Sequence, residues 1–271
     1  MSSDLALRLV PDELWELAEP LIPVFRPRRQ GGGTAAVDDR AVFTAIVYVL
    51  TSGCAWRHLP AEFGVSVPTA HRRFTAWTRA GLWPRLHHAV LDELGVRGQV
   101  DWASAIVDAA AVRAKRGTLT GRNPVDRGKK GSKLHVLSDA AGLPLVVAVS
   151  AANVHDSQAL KPLLMALPAI RSHRGPRRRR PVKMRADKAY HSAEHRTWLR
   201  RRGIVPRISR PGIESGERLG RHRWVIERTL AWLFGYRRLT IRYERHGHLF
   251  NAFLVLAAAI TCYKKLTKQP T

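Results

Sequence analysis

Hydrophobic positions along the chain change their period once. Up to about residue 97 they recur at spacings of three and four; beyond it they come in short continuous runs alternating with further helical stretches. Pro11–Leu21 (P-D-E-L-W-E-L-A-E-P-L) predicts a short amphipathic helix with acids in its first turn, and Pro23–Gly33 a loop rich in Pro, Arg and Gly. Asp38–Thr51 predicts a strong helix, acidic at its start and with Gly53 just beyond its end. A shorter helix around Trp56–Phe63 leads into the turn Gly64-Val65-Ser66. Another helix then opens with Ser66 as N-cap and Pro68 in its first turn. Its apolar residues Val67, Ala70, Phe74 and Trp77 form one stripe, and Thr69, His71, Arg72, Arg73 and Thr75 fall mainly on the other faces. Helix, short helix, tight turn and a helix with early basic residues is the helix-turn-helix arrangement, which places Arg72 and Arg73 as DNA contacts. Simple packing or dimerisation of a trihelical unit is the alternative. Leu82–Leu94 reads as one more helix and Gly95–Val100 as the boundary.

In the second half, Ser104–Val112 (S-A-I-V-D-A-A-A-V) is a strand-like apolar run with one Asp inside it. Ser132–Asp139 and Leu143–Ser150 are two further strands joined by the hairpin signal D-A-A-G. There follow a helix over His155–Leu167, the basic loop Arg171–Arg180 and a strand Val182–Ala186 that ends at Asp187. A helix over Ser192–Arg202, a strand Ile204–Ile208 and a loop Ser209–Gly220 containing Pro211-Gly212 come next. Two helices close the chain, Arg221–Leu239 and about Gly247–Lys265. Three strands, helix, strand, helix, strand and helices is the order of a ribonuclease-H-like mixed sheet flanked by helices. The expected fold is therefore α+β overall: an all-α helix-turn-helix-like domain over 1–97, then an α/β ribonuclease-H-like domain over 98–271.

Charge sharpens this division. The net charge is +25, of which residues 1–100 hold +1 and residues 101–271 hold +24. With 45% hydrophobic residues the chain still folds, so the excess points to a polyanionic partner rather than to a disordered basic tail. Nucleic acid is the first candidate, and ribosomal or architectural binding fits the charge equally well. Cys54 and Cys262 form neither a disulfide framework nor a zinc motif. The start of the chain shows no signal pattern, and the longest apolar run, Phe250–Cys262, is 13 residues, too short to span a membrane. The expectation is a cytoplasmic, nucleoid-associated protein with no membrane partner and no small-molecule substrate.

Eleven acidic residues in the second half can be sorted singly. Asp101, Asp126, Asp139, Glu194, Glu214 and Glu217 sit where solvation explains them. Glu244 (R-Y-E-R) reads as an ion pair with Arg242 or Arg245, and Asp156 as a helix cap. Three remain: Asp108 inside a strand, Asp187 at the end of another, and Glu227 on an apolar-faced helix, sharing a face with Leu230, Ala231 and Phe234. A structural pair is the ordinary explanation of each alone, for Glu227 with Arg223 one turn earlier. Together they suit phosphoryl chemistry with two divalent metals, which take oxygen ligands and act on the attacking and leaving oxygens.

The residues 106–114 (I-V-D-A-A-A-V-R-A), 126–145 (D-R-G-K-K-G-S-K-L-H-V-L-S-D-A-A-G-L-P-L) and 152–157 (A-N-V-H-D-S) resemble those of bacterial insertion-sequence transposases of the DDE class, insertion-sequence-five family. So do 185–190 (R-A-D-K-A-Y), 221–233 (R-H-R-W-V-I-E-R-T-L-A-W-L), 237–245 (R-R-L-x-x-R-Y-E-R) and, in the first half, 52–60 (S-G-C-A-W-R-H-L-P). The resemblance covers nearly the whole chain in order. It implies Asp108, Asp187 and Glu227 as catalytic metal ligands, two Mg²⁺ or Mn²⁺ ions, and double-stranded DNA, both transposon ends and target, as partner of a homodimer or higher oligomer. Lys129, Lys130 and Lys133 are expected on backbone phosphate, and Arg223, Arg228, Arg237 and Arg238 along DNA beside the glutamate helix. Two departures stand out. Lys188-Ala189-Tyr190-His191 replaces the common K-G-Y-D, and of the Tyr–Arg–Glu–Lys helix signature only Arg223 and Glu227 remain, with Gly220 and Phe234 at the outer positions. A nuclease without strand transfer, or a decayed or domesticated DNA-binding regulator, are the rival readings.

Overall fold

The computed structural model describes residues 2–24, 37–209 and 216–267, with side chains described from residue 4 onward in the first segment and from 223 onward in the last. Five helices come first: α1 (Ser2–Leu9), α2 (Asp12–Ala18), α3 (Asp39–Ser52), α4 (Val67–Arg79) and α5 (Leu82–Val96). Asp38 caps α3 by accepting from the Arg40 and Ala41 amides, and Gly53 ends it in the left-handed region at φ 71°. Ser66 caps α4 through the Thr69 amide. The predicted helix 56–63 is instead two single 3-10 turns, Trp56–His58 and Ala61–Phe63. Pro60 stands between them in an extended conformation, as its fixed φ and missing N–H dictate.

The sheet follows: β1 (Ala105–Ala114), β2 (Gly121–Arg122), β3 (Lys130–Asp139), β4 (Pro144–Ala151), then α6 (Ser157–Met165), β5 (Lys183–Ala186), α7 (Ala193–Arg201) and β6 (Val205–Ile208). Helix α8 (Gly216–Phe234), the short β7 (Ile241–Arg242) and α9 (Gly247–Leu266) complete the described chain. The central strand β1 is antiparallel to β3, which is antiparallel to β4; on its other side β1 is parallel to β5, and β5 to β6. That spatial order is the ribonuclease-H-like arrangement, α+β overall once the helical first half is included. The run Ala105-Ile106-Val107 is buried because strands flank β1 on both sides and layers cover both faces.

Helix α9 joins the halves. It packs on α5 on one side and on β4 on the other, and is buried almost all round. It is long and apolar enough to cross a membrane, but it is the core helix here. Phe253 on α9 stacks on Phe74 of α4 at 4.3 Å and lies 6.0 Å from Trp56. One hydrophobic core thus runs through residue 97 without a gap.

Local patterning did not reveal α1, β2 or β7. The helix expected over 221–239 starts at Gly216, ends at Phe234, and is followed by a separate 3-10 turn, Arg237–Leu239. The loop expected over Pro23–Gly33 falls largely within 25–36, outside the described residues. Of the loop expected over Ser209–Gly220, residues 210–215, Glu214 among them, also lie outside them, while 216–220 are helix.

Candidate functional site at the β1–β5 junction

Parallel pairing sets Asp108 beside Asp187. Ile106 pairs with Arg185, and two residues further along each strand stand the two aspartates, on the same face by strand alternation and on neighbouring strands. Asp108 is partly buried, and its Oδ1 accepts from the amide of Ala109, the next residue, at 2.8 Å. Asp187 caps the 3-10 turn Lys188–Tyr190 by accepting from the Ala189 amide at 2.8 Å. Burial pushes the Asp108 carboxyl up to about 6; the charges of Asp187 and Asp156 push the same way, and Arg223 offsets them in part. Tyr190, buried alongside, has its phenol held far above the ordinary range, first by burial and then by Asp108, Asp156 and Asp187.

Asp156 was expected as a helix cap. It occupies that position before α6 but makes no side-chain cap bond. Its carboxylate pairs instead with Lys133 Nζ at 2.8 Å, and Lys133 also donates to the Val154 carbonyl at 2.8 Å. Lys133 is therefore committed inside the site rather than free on the phosphate-facing loop. Asp156, read from sequence as a cap, is thus a third acid of this site, paired with a part-buried lysine of β3 that lies 23 residues before it.

Glu227 is placed differently from the expectation. The buried side of α8 is Val225, Ile226, Thr229, Leu230 and Leu233. Of the residues expected on its face, Leu230 is buried, Phe234 partly buried and Ala231 exposed, so Glu227 lies at the edge of the apolar face and not within it. The Glu227 side chain is 56% exposed and accepts from Arg223 Nε at 2.9 Å. Arg223 thus pairs with Glu227 on the exposed side of α8, and its charge also acts on the Asp108 carboxyl. Among the described residues no three carboxylate, His or Cys groups are gathered closely enough to hold a metal. The donor chemistry at Asp108 and Asp187 nonetheless fits a divalent cation. Both are oxygen ligands, and Asp108 is a partly buried acid whose charge a neighbouring carboxylate disfavours and a cation would favour.

The basic residues divide. Arg72, Lys129, Lys130 and Arg237 are exposed. Arg73 lies 3.6 Å from Asp39 of α3, packed against the helical unit. Arg228 donates to the Ala141 carbonyl at 2.6 Å and is partly buried. Arg238, expected along DNA, is a correction: it is 5% exposed, pairs with Glu244 at 2.6 Å and donates to the Cys54 carbonyl at 2.7 Å. Its guanidinium locks the two halves together and does not face solvent. Glu244 is an ion pair as expected, but with Arg238 rather than with Arg242 or Arg245. Asp139, expected to be solvated in its turn, is 1% exposed. In the basic loop, Arg177 spends its charge on Asp92 at 2.9 Å and on the Ala169 carbonyl at 2.6 Å.

Residues 104–262 match the family described as "Transposase DDE domain", and residues 10–87 the family described as "Putative transposase of IS4/5 family". The chain is 46% identical over 149 residues to the "Putative transposase for insertion sequence element IS402" of Burkholderia cepacia, a match covering 55% of this chain and 71% of that one. It is 44% identical over 112 residues to the "Insertion element IS402 uncharacterized 16.2 kDa protein" of the same organism, covering 41% and 76%. Among solved structures, the piggyBac transposase synaptic complex with hairpin DNA is similar at 9% identity and a TM-score of 0.43, over 98% of this chain and 75% of that one.

Proposed function

The chain belongs to the IS4/5-family DDE transposases, proteins of DNA transposition, and we propose that it cuts the ends of its own insertion sequence and joins them to target DNA. The observation that supports this chemistry is the juxtaposition of Asp108 and Asp187 across the β1–β5 pair, with Asp108 raised to about 6. Residues 1–97 bind the terminal inverted repeats, Arg72 lying on the exposed side of α4, and residues 98–271 carry out the reaction. A homodimer or higher oligomer holds both ends.

Asp108 and Asp187 would hold divalent cations, Mg²⁺ or Mn²⁺, with Glu227 as the third carboxylate. When bound, such ions supply activation of the attacking oxygen and stabilisation of charge on the leaving one. The chain's own residues set the stage. Lys133 neutralises Asp156, so the site carries less uncompensated charge than its three aspartates suggest. Arg223 holds Glu227 aside in the free protein; a DNA phosphate competing for that guanidinium releases the glutamate toward the aspartates. Lys129, Lys130 and Arg237 position the DNA backbone. Water then attacks the phosphodiester at the element's end and frees a 3′-hydroxyl, which attacks a phosphodiester of the target.

The test is cleavage and joining of end DNA by the full chain and by Asp108→Asn, Asp187→Asn and Glu227→Gln, with binding measured in parallel. Loss of both reactions in each variant, with binding kept, is the expected result. One observation favours a second reading, a DNA-binding regulator without catalysis: Glu227 is engaged by Arg223, and no three-carboxylate group is formed among the described residues. That reading requires the wild type to bind end DNA and cut nothing in either metal. Cutting without joining by the wild type would instead identify a nuclease.

A further inference from the structure

Several cations of the second half are paired inside the fold: Arg113 with Asp126, Lys161 with Glu194, Arg177 with Asp92 and Arg238 with Glu244. Arg185 and Arg207 are not. Neither guanidinium has an ion pair or a hydrogen bond among the described residues. Strands β5 and β6 instead set the two side by side, Arg185 pairing with Arg207 in the parallel register. Like charges held next to each other repel. Arg185 is also half-buried, and its Nε is shut away from water with no acceptor in reach. Burial first, and then the charge of Arg207, push its pKa down. A buried guanidinium N–H without an acceptor, beside a second guanidinium, is a cost that only an arriving anion removes.

Position says which anion the pair suits. Strand alternation puts Arg185 on the face that carries Asp187, two residues on, and Arg207 stands level with it on β6. The opposite face, Met184, Ala186 and Ile208, is buried, whereas Val205 and Arg207 are exposed. Exposure rises along the row from Ile106 at 4% through Arg185 to Arg207, so the pair opens outward from the aspartates toward the sheet edge. Two residues of strand are about 6.6 Å. An anion held there lies beside the aspartates without occupying their site. Adjacent guanidiniums offer several fixed N–H donors, which match the two free oxygens and single charge of a phosphodiester. Resting on the transposase reading, we infer that Arg185 and Arg207 clamp one backbone phosphate of a DNA strand passing the aspartate site, about one or two nucleotides from the bond that reacts. The element's end and the target present that same group.

The test uses the full chain, a duplex of its own element's terminal repeat and a target duplex. Arg185→Gln and Arg207→Gln each weaken binding of the clamped duplex about tenfold. The double variant loses less than the product of the two, as two groups on one phosphate must. Its slope of log affinity against log salt falls by about one, the value for a single phosphate. A neutral methylphosphonate at successive positions beside the reacting bond finds one position at which wild type and both variants behave alike. That position lies in the end duplex, with cleavage impaired in the variants, where the clamp holds the end. It lies in the target duplex, with joining of pre-cut ends impaired and cleavage kept, where the clamp holds the target. Without DNA, Arg207→Gln melts at or above the wild-type temperature, because it relieves repulsion at Arg185; an arginine tied into the fold would melt lower. The inference is overturned if the variants bind and react as the wild type does, if no single neutral linkage in either duplex removes their defect, or if Arg207→Gln lowers the melting temperature. A wild-type chain that leaves end DNA uncut overturns the transposase reading, and this inference with it; a wild type that cuts and joins while both arginines prove indifferent overturns this inference alone.

Discussion

Two aspartates on the β1–β3 ladder have carboxyls raised to about 6, and burial is the largest cause for both. Asp139 sits at one end, paired across the ladder with Ala105; Asp108 sits three residues further along β1. Their surroundings differ. Asp139 accepts from three backbone amides, those of Asp101 at 2.9 Å, Ala141 at 2.9 Å and Leu143 at 2.7 Å. These bonds tie the β3–β4 turn to the chain entering β1, and they explain a buried carboxylate in full. Asp108 has a single amide, that of its own neighbour, and faces two further carboxylates. Burial and a raised pKa therefore do not distinguish a structural acid from a functional one; what the oxygens lack does.

The sharpest way to break the comparison is through chemistry. Asp108→Asn or Asp187→Asn lowers end cleavage by about a thousandfold or more, the scale of losing a group that organises charge in the transition state. Asp139→Asn, assayed on folded protein, leaves the rate within about threefold, because Asp139 lies in the turn and not among the site aspartates. Equal losses at 108 and 139 would show that both act through the fold.

The next contrast is in stability, where the ranking reverses. Asp139→Ala leaves three amides without their acceptor, that of Leu143 buried and those of Asp101 and Ala141 part-buried, and each loss costs up to about 1–3 kcal/mol before relaxation. Allowing for relaxation, urea denaturation should show a loss of about 2–4 kcal/mol. A loss under about 1 kcal/mol would mean that water replaces the carboxylate and that the turn does not depend on it.

These differences mark where the sequence stopped being readable. The five longer strands and their order were legible, β1 and β4 as apolar runs and the others from the turn residues that bound them, and Asp108 inside β1 and Asp187 at the end of β5 stood out. Strands β2 and β7, two residues each, are too short to carry a pattern. Asp139 was misread because D-A-A-G looks like a solvated hairpin. Gly142 there takes φ 90°, and a Cβ on it would lie 2.9 Å from Thr229 and 3.1 Å from Val225, so α8 covers the turn. No local pattern reports a helix that arrives from more than eighty residues away. Asp156 was misread for a similar reason, since its partner Lys133 lies on a different element. Arg238 looked like half of an exposed Arg-Arg pair. Only the packing of α3's end against the turn after α8, where a Cβ on Gly53 would lie 2.7 Å from Arg237 Cβ, shows that its neighbour Arg238 points inward to Cys54.

The smallest effect is also the one least dependent on any DNA assay. A carboxyl raised in the folded state from 3.8 to about 6 binds its proton more tightly there than in the unfolded chain. Below about pH 4 both states are protonated and no penalty exists. As pH climbs from 4 to 6 the folded protein must ionise a buried group, so wild-type stability falls relative to Asp108→Asn; above 6 the gap is constant. In chelator, Asp108→Asn should therefore match the wild type near pH 4 and exceed it by about 1–3 kcal/mol at neutral pH, two pKa units setting the upper bound. Asp139 carries the same shift in both proteins and cancels from the difference. Adding Mg²⁺ or Mn²⁺ at neutral pH should close the gap, raising the melting temperature of the wild type and not of the variant, because only the wild type has the paired aspartates to bind it. A gap independent of pH would mean that Asp108 carries no electrostatic strain. A gap that follows pH but ignores metal would leave Asp108 a strained acid with no cation to relieve it, and would remove the physical argument that sets it apart from Asp139.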